Sequence, residues 1–220
     1  MTAPAFMRKQ AILGGTFNPV HWGHLLMAET ALDQFALDQV IWVPARRPLH
    51  KSSIDLANFE KRLEMVKLAI ASHPRFVLST IEQNPSSLSY AIDIFLDLQA
   101  VHPDTHWYWI IGFDAFQTLP RWYRRQELAE RCTWLVAPRW DSESGNRGMA
   151  DCQQIAEKMA AEAIEIQWQL LEMPLVGLSS GLIRRYCRDR RSIRYLVPDP
   201  VRRYILEQKL YQNPEPRQPT

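Results

Sequence analysis

Short apolar runs alternate along the chain with longer segments in which apolar residues recur every three or four positions. Ala11–Leu13, Val40–Val43, Phe76–Leu78, His106–Ile111 and Thr133–Val136 are brief and rich in β-branched or aromatic residues, the pattern of strands buried on both faces. Between them, Leu25, Ala28, Leu32 and Phe35 share one helical face, as do Phe59, Leu63, Val66 and Ile70, and then Ile92, Phe95 and Leu96. This β-α-β succession predicts an α/β fold: a Rossmann-like parallel sheet with helices on both faces, right-handed crossovers and a ligand site at the carboxyl ends of the strands. No period in the sequence suggests a repeat array.

Pro138–Gly148 is polar and glycine-bearing and reads as a surface loop. A helix over Asp151–Ala163 and a short strand over Ile164–Trp168 follow. After Leu178 the pattern is helical to Tyr211, broken at Val197 and Pro198, with Asp199 as N-cap and Pro200 in the first turn of the last helix. The chain of 220 residues is expected to form a single domain, with a core over about 9–178, a C-terminal helical segment over 179–211 and a tail over 212–220. Three prolines after Asn213 predict disorder there.

Hydrophobic residues are 46% and charged residues 23% of the chain, an ordinary globular balance that excludes disorder of the whole. The longest apolar run, Trp107–Phe113, contains Gly112 and is far shorter than the roughly 20 residues that span a bilayer. No apolar stretch typical of a signal follows Arg8 and Lys9, and a cytoplasmic protein is expected. Cys132, Cys152 and Cys187 stand at wide spacings that fit neither a disulfide framework nor a metal motif, so buried or inert thiols are expected. The net charge is +2, yet residues 180–211 hold nine Lys and Arg against three Asp and Glu. Such asymmetry suits a polyanion, either nucleotide phosphates or a nucleic-acid backbone; a solvated arginine-rich helix face is the equal alternative.

The richest chemistry lies in residues 14–24, GGTFNPVHWGH, between the first strand and the first helix. Gly14 and Gly15 permit a tight turn and close approach of phosphates to main-chain N–H groups. His21 and His24, three apart, share a helical face, and Gly23 leaves room beside them. That arrangement suits an anion at a helix N-terminus, which the helix dipole also favours. Surface histidines or half of a zinc site are the alternatives, although no further ligand follows at motif spacing.

The motif resembles the GGTFDPxHxGH signature of the nucleotidyltransferase superfamily that contains the bacterial nicotinate-mononucleotide adenylyltransferases. The resemblance runs from about residue 10 to residue 211. Val43–Lys51 (VPARRPLHK) is similar to that family's proline-rich segment ending in HK, and Glu82–Asp93 to its E…PSYTxDT stretch. Ile111–Asp114 (IGFD) resembles IGxD, Leu119–Trp122 sits where the family places a tryptophan, and Arg139 follows the fifth strand as a family arginine does. Leu178–Arg184 (LSSGLIR) resembles ISSTxIR, and YLVPDPVRRYI near the end has the family's look.

The resemblance implies transfer of the AMP moiety of ATP to nicotinate mononucleotide, giving nicotinate adenine dinucleotide and pyrophosphate in NAD biosynthesis. Implied catalytic residues are His21, His24, Lys51 and Arg184, the histidines binding ATP phosphates that favour their protonated forms. Gly14, Gly15, Thr16, Phe17, Ser179 and Ser180 would complete the ATP site. Ser89, Tyr90, Ala91, Gly112, Asp114, Trp122 and Arg139 would hold the mononucleotide, with the Trp122 indole on the pyridine ring; a core aromatic is the competing reading of Trp122. Mg²⁺ is the implied ion, bound mainly through substrate phosphates, with no metal site made by protein ligands. Implied partners are ATP and a pyridine mononucleotide, without a membrane; a homo-oligomer is left open.

Four positions depart from the family pattern: Asn18 stands for Asp, Ala91 for Thr, Phe113 for a small residue and Gly181 for Thr. Ala91 bears on the choice between the acid and the amide form of the mononucleotide. The alternatives are an enzyme that prefers nicotinamide mononucleotide or accepts both, another member of the superfamily, and a non-catalytic nucleotide- or RNA-binding module.

Overall fold

Alternate residues of the central strands point into two different cores. On one face Ala11, Leu13, Val40, Trp42, Tyr108, Ile110, Leu135 and Ala137 join a single buried cluster, while Ile12, Ile41, Val43, Trp107, Trp109, Ile111, Trp134 and Val136 join the other. Strands covered on both sides have no polar face, which is why they read as unbroken apolar runs. The computed structural model describes residues 7–47, 56–81, 90–141 and 145–212.

The main sheet has the strands β1 (Arg8–Gly15), β2 (Gln39–Pro44), β3 (Phe76–Leu78), β4 (Thr105–Gly112), β5 (Thr133–Ala137) and, last in the chain, β8 (Trp168–Leu170). Their order is β3-β2-β1-β4-β5-β8, and each pairing is parallel. The first face carries α1 (Trp22–Gln34), α2 (Phe59–Ile70), α7 (Ser180–Arg188) and α8 (Asp199–Glu207); the second carries α3 (Ala91–Val101), α4 (Phe113–Phe116), α5 (Arg125–Ala129) and α6 (Met149–Ala160). The strand order reverses between β1 and β4. The crevice at their carboxyl ends is therefore a topological switch point, where open α/β sheets bind ligands.

All five strands expected in the first part of the chain are present, β3 with the expected bounds and the other four extended by one to three residues at an end. The later segments differ. Within Pro138–Gly148, two strands pair antiparallel, β6 (Arg139–Asp141) and β7 (Gly145–Arg147). Their polar composition gives no period-2 apolar alternation, so pairing leaves no mark in the sequence. The strand expected at Ile164–Trp168 begins only at Trp168, because Ala163 takes a left-handed backbone and the Ile164 N–H closes the end of α6 on Met159 O. α6 itself runs Met149–Ala160 rather than Asp151–Ala163.

The C-terminal segment is less helical than its pattern. Residues 189–198 form a connection in which Arg190 and Tyr195 have positive φ and the Arg191 N–H returns to Tyr186 O. Ile193 and Val197 are buried and satisfy the apolar spacing without a helix. Pro198, not Asp199, caps α8; Asp199 is its first residue and pairs with Arg202 and Arg203, which lowers its pKa, chiefly through the Arg202 hydrogen bond. The expected tail lies outside the described residues from 213 onward. Burial raises the pKa of the Cys132 and Cys187 thiols and pushes that of Cys152 up to about 11, so all three are protonated at neutral pH. Among the described residues, no helix is long and apolar enough to cross a membrane.

Beyond α8, Tyr211 folds back on the sheet and its phenol donates to Asn18 Oδ1 at 2.7 Å. Burial raises the Tyr211 pKa, which keeps the donor proton in place through the neutral range. Tyr211→Phe removes this bond while Asn18 Oδ1 keeps the Ala57 N–H at 3.1 Å. The loss expected is about 1 kcal/mol of unfolding free energy, read from the shift of the urea midpoint at unchanged slope.

Candidate active site

Gly14 and Gly15 close β1 opposite Val43 and Pro44 of β2, so they are extended rather than part of a turn. The chain reverses after them. Phe17 takes a left-handed backbone with φ 47°, and the Asn18–Pro19 peptide is cis. Space is tight at Gly15: a Cβ there would stand 3.0 Å from the Phe17 ring, which would have to give by a few tenths of an ångström. That ring is buried, meets His24 edge-on at 5.1 Å and packs on Trp42 at 5.4 Å.

His21 caps the N-terminus of α1 with an extended backbone, and His24 lies in its first turn. Their rings stack with centroids 3.7 Å apart and planes 26° from parallel. A Cβ on Gly23 would come within 3.0 Å of the His21 ring, so the glycine makes the room expected of it. His24 Nδ1 accepts the His21 N–H at 3.2 Å. An imidazole nitrogen that accepts carries no proton, which makes Nε2–H the hydrogen-bond donor of the His24 ring in this arrangement.

The C-terminal segment meets this loop directly. Ser179 caps α7, its hydroxyl accepting the Leu182 N–H at 3.1 Å. Ser180 Oγ donates to Pro19 O at 2.8 Å, and Arg184 Nη1 donates to Asn18 O at 2.9 Å. Arg184 Nε is buried and has no hydrogen-bond partner among the described residues. Of the other basic residues here, Arg191 stacks over Tyr186 at 3.8 Å, while Arg185, Arg190 and Arg194 are exposed. The local positive charge thus divides between one arginine turned into the loop and a solvated face.

Two of the departures from the family pattern, Asn18 and Phe113, find physical accounts. Asn18 needs no charge here, since its side-chain oxygen accepts two hydrogen bonds as a carboxylate would. Phe113 is buried in the second core. At Gly181 an added Cβ would meet Ser179 Oγ at an ordinary 3.8 Å, so no lack of space excludes a side chain there.

Residues chosen for the mononucleotide lie across the sheet. Tyr90 caps α3, Ala91 begins it, and the Tyr90 ring packs on Tyr123 at 4.7 Å. Gly112 ends β4 and caps α4; Asp114 lies in the first turn of that helix rather than at the end of the strand. Trp122 is half-buried, edge-on to Trp109 at 6.3 Å and to Trp134 at 5.8 Å, and its indole N–H donates to Thr118 Oγ1 at 2.9 Å. Arg139 is in β6, paired with Arg147 of β7. Lys51 and Ser89 lie outside the described residues.

The structure thus gathers Gly14–Phe17, His21, His24, Ser179, Ser180 and Arg184 at the carboxyl end of β1. It sets Tyr90, Ala91, Gly112, Asp114 and Trp122 toward β4 and the opposite face. Two residues at the first group were not singled out in the sequence. Arg62 lies in α2 and reads as one charge on an amphipathic helix; Tyr211 ends the helical pattern and gives no sign of the loop it reaches.

Comparison with known proteins shows the family of the chain. A family model described as cytidylyltransferase-like matches residues 12–186. A protein of Trichormus variabilis named probable nicotinate-nucleotide adenylyltransferase is 50% identical over 93% of this chain and 98% of its own length. One of the same name from Geobacillus thermodenitrificans is 40% identical over 93% of this chain and 87% of its own. The solved Plasmodium falciparum nicotinic acid mononucleotide adenylyltransferase, complexed with NaAD, superposes with a TM-score of 0.74 at 18% identity, covering 93% of this chain and 97% of that one, a likeness of fold. The chain belongs to the cytidylyltransferase-like nucleotidyltransferases and, within them, to the nicotinate-nucleotide adenylyltransferase family.

Proposed function

We propose that the protein, as a single nucleotidyltransferase domain, transfers the AMP moiety of ATP to nicotinate mononucleotide, giving nicotinate adenine dinucleotide and pyrophosphate in NAD biosynthesis. The observation that carries this reading is the convergence of His21, His24 and Arg184 on the loop after β1, facing Gly112 and Tyr90 across a switch point of the sheet.

A phosphate oxygen of the mononucleotide forms a bond to the α-phosphorus of ATP. The bond from that phosphorus to the bridging oxygen breaks, and pyrophosphate leaves with the electron pair. The attacking group is already anionic at neutral pH, so no activated serine or cysteine is needed. The protein's task is alignment and neutralisation of charge on the phosphate oxygens. His24 donates from Nε2 and His21 lies stacked beside it; the Arg184 guanidinium, tethered by one nitrogen to Asn18 O, offers its remaining N–H groups. Ser180 has its one hydroxyl proton on Pro19 O and Ser179 takes the Leu182 N–H, so an anion would meet the N–H groups of Ser180 and Gly181 at the start of α7.

Among the described residues, no group of three or more His, Cys, Asp or Glu is placed to hold a metal ion. The donors present here are imidazole, guanidinium and N–H, which suit phosphate oxygens, and Mg²⁺ is proposed to arrive bound to them. When bound, it lowers the negative charge that the incoming phosphate must approach.

Ala91 carries no hydroxyl at the start of α3, so a nicotinate carboxylate would be read by N–H groups at that helix start. The test is pyrophosphate release and dinucleotide formation from Mg-ATP with each mononucleotide in turn. Faster turnover of nicotinate mononucleotide is expected. Equal turnover of the two would show a pocket that does not discriminate, and turnover of neither would overturn the reading. His24→Ala is expected to lower kcat by about 100-fold or more, as loss of a donor to the reacting phosphates would, with the thermal midpoint nearly unchanged; near-normal turnover in the purified variant would remove His24 from the mechanism.

A further inference from the structure

Beneath the loop after β1 lies a buried cation that the proposed mechanism does not use. Arg62, on the first turns of α2, is 1% exposed. Among the described residues its guanidinium makes four hydrogen bonds, all to main-chain carbonyls: Nη1 to Thr16 O at 2.8 Å and to Ala45 O at 2.7 Å, Nη2 to Arg46 O at 3.2 Å, and Nε to Ala57 O at 3.0 Å. Those acceptors come from the loop after β1, the residues that follow β2, and the approach to α2. No carboxylate forms an ion pair with it among the described residues; Glu60, two positions away, pairs with Arg46 at 3.8 Å. Burial lowers the Arg62 pKa from its ordinary value, yet an arginine this basic remains charged at neutral pH.

A scaffold residue alone would not require a charge. A buried cation is costly to desolvate, and among the described residues carbonyl dipoles and the face of the Phe59 ring, 5.6 Å away, compensate it with no direct ion pair. The acceptors, however, are specific. In a trans peptide the C=O and the following N–H point in opposite directions, so holding Thr16 O against Arg62 turns the Phe17 N–H away from the guanidinium. The same hold fixes the segment leading to Phe17, whose ring packs on His24.

We propose that Arg62 is a positioning residue for adenylyl transfer: its four-carbonyl fork sets the Thr16 peptide and, through Phe17, the His24 ring against the α-phosphate, and its charge adds to the field the triphosphate enters. This rests on the reading that the loop after β1 holds ATP phosphates. The side chain does not itself touch substrate. Lysine keeps the charge but cannot make a planar fork, and methionine keeps much of the volume without the charge.

The test measures kcat and both KM values for Arg62→Lys, Arg62→Met and Ile70→Ala, the last a buried α2 residue away from the fork that serves as a stability control. For Arg62→Lys, kcat is expected to fall by about tenfold to 100-fold, as a small misplacement of reacting groups would produce, with KM for ATP within about threefold and KM for the mononucleotide unchanged. Arg62→Met adds a rise in KM for ATP that weakens at high salt, since the term lost is electrostatic. An Ile70→Ala variant of equal thermal stability with the same loss of kcat would overturn the proposal. So would near-normal kcat in folded Arg62→Lys, or failure of both Arg62 variants to fold, which would assign the arginine to the scaffold. Wild-type protein inactive with either mononucleotide would instead defeat the functional reading, and it is measured first.

Discussion

Three main-chain carbonyls in the loop after β1, those of Thr16, Asn18 and Pro19, accept hydrogen bonds from side chains 46, 166 and 161 residues further along the chain. The bonds bring two separate elements, α2 through Arg62 and α7 through Ser180 and Arg184, to a loop that has no regular structure of its own. The Asn18 side chain adds the approach to α2 and the end of the C-terminal segment. Loops commonly buy adaptability with looseness, but this one is held by partners on two helices, on the approach to α2 and at the end of the C-terminal segment. Catalysis by alignment needs such a frame, because the loop's own backbone has no ladder to keep it in place.

The same contacts account for the placing of positive charge. Arg62 and Arg184 are both turned to carbonyls of this loop. Carbonyl dipoles hold a guanidinium without cancelling its charge, whereas a carboxylate would offset most of the field. An anion proposed at the carboxyl end of β1 would meet Arg184, a helix N-terminus and an imidazole N–H donor together, with the buried Arg62 adding its field from beneath the loop. The residues proposed for the acceptor lie by β4 and the opposite face, and the strand order sets β4 beside β1.

The sheet was legible in the sequence because the doubly covered middle of a strand is apolar, as in Ala11–Leu13 of β1, Val40–Val43 of β2, Trp107–Ile111 of β4 and Trp134–Ala137 of β5. The histidines and Gly23 were legible because their geometry is local, within one helical turn. What escaped was set by distance. Arg62 looks like any polar residue on an amphipathic helix until α2 is packed against the loops, and the Tyr211 contact with Asn18 spans 193 residues. The helical run expected after Leu178 misled for another reason: the buried Ile193 and Val197 keep apolar spacing through residues whose backbone at Arg190 and Tyr195 is left-handed. Apolar period records burial, not conformation.

The central claim is that the loop after β1, held by Arg62, Arg184 and Ser180, is where the ATP phosphates lie. A crystal structure of the protein with a non-hydrolysable ATP analogue tests it most directly. The account predicts phosphate oxygens within hydrogen-bond distance of His24 Nε2 and the Arg184 guanidinium, over the ends of β1 and β4. A triphosphate bound elsewhere, as at the cleft lined by Gln117, Arg121, Gln154 and Lys158, would contradict it.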